Sequence, residues 1–110
     1  MTFYPETWYW LIPGVPERGS FNQHFVRDIG IIYQLIGIAF IYGALFKKNS
    51  VDLWLIPTLW LVGHAVFHIW EIFVGICNPE AFIEDFAGVT LPALVAIMLT
   101  YLTHKVGKNA

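Results

Sequence analysis

Residues 53–76 read "LWLIPTLWLVGHAVFHIWEIFVGI". A run of this length without lysine, arginine or aspartate is long enough, as a helix, to cross the ~30 Å hydrocarbon layer of a bilayer. Yet His64, His68 and Glu71 interrupt it. Ionisable side chains are costly at that depth, so they turn toward protein or a cavity and often mark a working site. At about 100° per residue, the three fall within an arc of roughly 60°, together with Pro57 and Gly75. The opposite side carries Leu55, Leu59, Val62, Val66, Ile69 and Phe73, which suits lipid. With about 1.5 Å of rise per residue, the trio climbs about 10 Å from His64 to Glu71.

Two other stretches have spanning length: 29–46, "IGIIYQLIGIAFIYGALF", and 86–104, "FAGVTLPALVAIMLTYLTH". Composition agrees with a membrane chain. Of 110 residues, 57% are hydrophobic and only 13% are charged, against roughly 25% charged in a soluble domain. A soluble protein of this length could not bury that much apolar surface. Pro57 and Pro92 fall inside two spans, where neighbouring groups can satisfy the freed carbonyls. The expected fold is therefore all-α: an integral membrane bundle of three transmembrane helices.

Residues 1–28 read differently. Pro5, Pro13, Pro16, Gly14 and Gly19 disfavour a long helix there, and Phe3, Tyr4, Trp8, Tyr9 and Trp10 favour the headgroup layer. "TWYWLI" is too short to span, so the segment is expected to lie at the interface. The opening lacks the basic start and long apolar run of a leader, and no cleavage is expected. "KKNSVD" (47–52) and "CNPEAFIED" (77–85) connect the spans, with Asn78-Pro79 as a turn or helix-start signal.

Lys47, Lys48, Lys105 and Lys108 mark the first loop and the C-terminal tail, whereas the second loop holds Glu80, Glu84 and Asp85 without a base. The positive-inside bias then puts the first loop and C-terminus in the cytoplasm, and the N-terminus and second loop outside. Arg18 and Arg27 run against that bias, and Arg27 has Asp28, Glu71 and Glu84 as candidate partners. On the first span Gly30, Gly37 and Ala44 form a small-residue stripe suited to helix packing. On the third, Asp85, Gly88, Pro92, Ala96 and Thr103 line up.

Under this topology the outer ends gather His24, Asp28, Glu71, Cys77, Glu84 and Asp85, with His68 and His64 deeper. Histidines one turn apart can clamp a single ion, and a carboxylate nearby can ligate it or orient an imidazole. A site of His64, His68 and Glu71, completed by His24 and Asp28, would suit copper, zinc or iron. A neutral histidine can equally serve as an interhelical hydrogen-bond partner. Haem is disfavoured, because two histidines one turn apart cannot approach it from opposite faces. A di-iron desaturase needs many more than the four histidines present. Proton transfer along the ladder would need a polar path below His64, where Thr58, Thr100, Thr103 and Tyr42 offer little. Cys77, the lone cysteine, excludes an intrachain disulfide, and the acids near it do not favour a reactive thiolate. A net charge of −2 without a basic run gives no reason to expect nucleic acid.

The stretches "HFVRDIGIIYQLIGIAF" (24–40) and "GHAVFHIWE" (63–71) resemble a pattern in small, uncharacterised bacterial membrane proteins. In these an Arg-Asp-x-Gly sequence opens one helix and a His-x-x-x-His sequence lies in a later one. Here the matching residues are Arg27, Asp28 and Gly30, then His64 and His68. The resemblance covers about half of the chain, implies a multi-helix membrane fold and a bacterial inner membrane, and carries no activity. The aromatic arm lies outside the pattern. Two functions follow as expectations. One is a metal-binding membrane protein in metal handling or metalloenzyme assembly. The other is a non-catalytic accessory subunit that packs against other membrane subunits or its own copies. An enzymatic role would need groups from another chain.

Overall fold

The computed structural model describes residues 1–46 and 51–109. Of the expected first connection, 47–50 therefore lie outside the described residues. In chain order the elements are α1 (Pro5–Leu11), a 3-10 turn (Pro16–Arg18), α2 (Gln23–Phe46), α3 (Val51–Phe73), α4 (Ala81–Asp85), a π-helical turn (Phe86–Thr90) and α5 (Leu91–Asn109). No strand occurs among the described residues. The fold is all-α, and α2, α3 and the continuous rod Ala81–Asn109 are each long and apolar enough to cross a membrane.

The rods differ from the apolar runs at their ends, for local reasons. α2 starts at Gln23 rather than 29 because Asn22 caps it. The Asn22 side-chain oxygen accepts the Phe25 N–H at 3.3 Å, and its carbonyl accepts the Val26 N–H at 3.0 Å. The polar first turns with His24, Arg27 and Asp28 are thus helical. α3 stops at Phe73 rather than 76. Gly75 takes φ 79°, the Ile76 N–H bonds the Glu71 carbonyl at 2.9 Å, and the Gly75 N–H bonds the Ile72 carbonyl at 3.1 Å. This pair of bonds closes a helix on a left-handed residue, a role in which glycine has no Cβ to strain. Gly75 therefore leaves the helical face on which the sequence placed it. The last rod extends past both ends of 86–104.

The chain forms two compact units, Met1–Gly37 and Ile38–Ala110. In the first, Tyr9 is the buried centre of the N-terminal arm. Its hydroxyl donates to the carbonyls of Gly19 and Pro16, and its ring meets Trp10 edge-on at 5.0 Å and Phe21 at 5.2 Å. Gly14 and Gly19, at φ 79° and 149°, let the chain turn back after α1. Met1 and Thr2 lie on Gly30 of α2, where a Cβ would come within 2.5 Å of the Thr2 hydroxyl oxygen and 2.9 Å of its backbone nitrogen. Gly30 thus serves contact with the chain's own N-terminus. Further along the stripe, no described residue lies within 4 Å of a Cβ at Gly37, and Ala44 is exposed.

In the second unit α3 and α5 share a seam. Trp54, Pro57, Thr58, Leu61 and Ala65 are buried from α3, and Val89, Ala93 and Ala96 from the rod opposite. Alanines at this spacing bring the two backbones close enough for dispersion and polar contacts to hold them without a hydrophobic drive. The Thr58 and Thr100 hydroxyl oxygens are 2.8 Å apart, with the Trp54 carbonyl 3.3 Å from Thr100 and the Ala96 carbonyl 3.4 Å from Thr58. Each hydroxyl has one proton, so two arrangements close: Thr58 to Thr100 to Trp54, or Thr100 to Thr58 to Ala96. The Trp54 carbonyl lies in the turn loosened by Pro57, which lacks an N–H for its own turn of α3. Leu55, Leu59, Val66, Ile69 and Phe73 stay exposed, as a lipid-facing side requires.

Pro92 has a comparable effect on the second rod. Its ring would press on the Gly88 carbonyl in a regular helix. The preceding turn widens instead, and the Leu91 N–H reaches back to the Phe86 carbonyl. At the other end of the seam Trp54 packs on Phe40, ring centroids 5.4 Å apart. A Cβ on the buried Gly43 would come within 3.0 Å of its indole nitrogen.

Candidate functional site

His68 lies on the last turns of α3, and Asp85 ends α4 where the π-helical turn begins. The wide turn sets the register of the rod around Asp85, and such turns recur at functional sites. Asp85 Oδ2 is 2.8 Å from His68 Nδ1, with the two side chains 13% and 19% exposed. With Asp85 ionised, Nδ1–H donates and Nε2 becomes the acceptor of the ring. The distance is that of a charge-assisted hydrogen bond.

The ring column continues along α3. His64 meets His68 edge-on with centroids 4.6 Å apart, and stacks on Trp60 at 5.0 Å with 14° between the planes. Phe67 stands edge-on to His68 at 6.0 Å. Trp60, His64 and His68 are one turn apart, so a single helical face aligns them. The Trp60 face against His64 and the edge-on rings around His68 hold the imidazoles in place, and with Asp85 ionised it is Nδ1 of His68 that carries the proton.

The carboxylate that meets His68 is Asp85 and not Glu71. Glu71 is half-buried and makes no side-chain hydrogen bond or ion pair with the described residues of 51–109. Its backbone carbonyl accepts the N–H groups of Ile76 and Cys77 at the end of α3. The third-span stripe already contained Asp85. What the sequence did not reveal was the π-helical turn that gives Asp85 its register against α3.

His24 and Asp28 belong to the other unit. They pair with each other one turn apart on α2, Nε2 to Oδ2 3.2 Å, with side chains 80% and 51% exposed. Asp28 thus meets His24 rather than Arg27. Among the described residues no group of three or more His, Cys, Asp or Glu side chains converges to hold a metal ion. Within the second unit, His64, His68 and Glu71 by themselves do not form such a group. Cys77 is a free, half-buried thiol. In comparisons with known proteins, no family model, curated sequence or solved structure matches this chain.

Proposed function

We propose that this chain is a small integral membrane protein that binds a transition metal through His64 and His68 and passes it on, in metal handling or the assembly of a metalloenzyme. The observation that carries the reading is the 2.8 Å contact between Asp85 Oδ2 and His68 Nδ1. A carboxylate on one imidazole nitrogen presents the other as a ligand and raises its basicity, as at many metal sites. His64 supplies a second imidazole one turn away. Imidazole donors suit copper, zinc and iron. Glu71, one turn beyond His68, is the nearest carboxylate on α3 that could swing toward the ion. A chain that leaves part of the shell open suits an ion in transit, the remaining ligands coming from water, a partner or a second copy. His24 and Asp28 are not required. The lysine distribution favours an orientation with this site toward the outer side of the membrane and the C-terminus in the cytoplasm.

One observation favours a second reading. His68 and Asp85 already satisfy each other across the seam, which is enough for a packing subunit of a larger membrane complex that binds no metal. Elemental analysis of the detergent-purified protein, after exposure to copper or zinc, separates the two. Stoichiometric metal that is lost in the His64→Ala, His68→Ala variant supports the metal site. Absence of bound metal in the parent overturns it and leaves the packing role.

A further inference from the structure

We infer that the N-terminal arm is a prebuilt lipid anchor, docked on α2 at Gly30 and seated at the boundary between headgroups and acyl chains. Three observations converge on this. First, the arm has an internal structure. Tyr9 is buried and bonded to the carbonyls that follow α1, so its outward side chains are held in place. Second, those outward side chains are apolar and aromatic: Phe3, Tyr4, Trp10 and Leu11 are each more than 60% exposed. Tryptophan and tyrosine concentrate at the membrane interface because one end of each ring is apolar and the other is polar.

Third, the docking point is at the right depth. Arg27 and Asp28 are the last charged side chains of α2 before an apolar run to Phe46. The hydrocarbon layer therefore begins just past them. Gly30 and Gln34 lie about 3–9 Å further along the axis, just inside the boundary between headgroups and acyl chains. Met1 and Thr2 occupy the surface of Gly30, while Phe3 and Tyr4 border the adjoining hollow beside Tyr33 and Gln34. The arm thus runs into α2 at Gln23 and folds its first residues back onto Gly30, near the boundary turn of that helix. That continuity selects lipid as the occupant of its exposed face, rather than a soluble protein. Gly30 is the keystone, because any Cβ there meets Met1 and Thr2, including the Thr2 backbone.

The test uses the full chain with Cys77→Ser, reconstituted alone in phosphatidylcholine liposomes. A nitroxide is placed on Leu11→Cys or, as a water-exposed control, on Glu17→Cys. Electron paramagnetic resonance then reads collisions with oxygen and with a nickel chelate. The expected oxygen-to-nickel ratio is several-fold higher at Leu11 than at Glu17. Equal ratios overturn the proposal. Protection of Leu11 from both reagents also overturns it, since a second copy would then cover the face. For the docking point, the label moves to Phe3→Cys with and without Gly30→Val. The expected result is faster label motion and a lower ratio in the valine variant, and an unchanged spectrum overturns the role of Gly30.

Discussion

Asp85 and His68 meet across the α3 seam at 2.8 Å, from elements 17 positions apart in sequence. The contact joins the last residue of α4 to the ring column of α3, and it ties the local geometry of the π-helical turn to the candidate site.

Removing either partner forfeits a charge-assisted hydrogen bond in a largely buried place, which costs about 1.5–3 kcal/mol. Asp85→Ala is expected to lose about that much stability, measured by unfolding in mild detergent, and about 10–100-fold in metal affinity if His68 is a ligand. Glu71→Ala is expected to stay within about 0.5 kcal/mol of the parent. A larger stability effect at Glu71 than at Asp85 would reverse the assignment.

The Thr58–Thr100 bridge is a second polar tie in the same seam. Single Thr58→Val and Thr100→Val variants should each lose about 0.6–2 kcal/mol. The double variant should lose less than their sum, because both remove the same bond. Strict additivity in a double-mutant cycle would show that the hydroxyls act separately.

Gly43 and Gly37 differ in what surrounds them. Gly43→Val places new atoms against the Trp54 indole and should cost about 1–3 kcal/mol, with a shifted tryptophan emission. Gly37→Ala meets no described atom within 4 Å and should cause no loss. Equal sensitivity at the two positions would contradict the packing described.

Orientation is open to direct chemistry. Cys77 opens the connection that the lysine distribution puts outside. An impermeant thiol reagent should label it in intact cells. Glu80→Cys in a Cys77→Ser background provides an exposed reporter on the same connection. Labelling of neither thiol until the cells are opened would invert the topology.

The existence of three spanning helices was legible in composition and run length alone. No soluble packing could hide so many apolar side chains, and only a helix bonds its own backbone within a bilayer. The outward face of α3 was legible too, since helical periodicity separates Leu55, Leu59 and Val66 from the histidines. Two helix ends were not read from run length: the structure caps α2 at Asn22 and closes α3 at Gly75, short-range features that hydropathy passes over.

The choice of Asp85 over Glu71 was not legible. On an ideal helix Glu71 lies one turn from His68 on the same face, so periodicity favours it. Asp85 reaches His68 because α3 and the following rod pack through small residues, and because Pro92 forces a wide turn that resets the rod beside it. The same holds for Gly30, which reads as a helix-packing residue until the chain's own first residues are seen to occupy it. Periodicity along one helix determines which side chains share a face. Which residue of another element meets that face depends on close approach and register between backbones, and these exist only once the chain has packed.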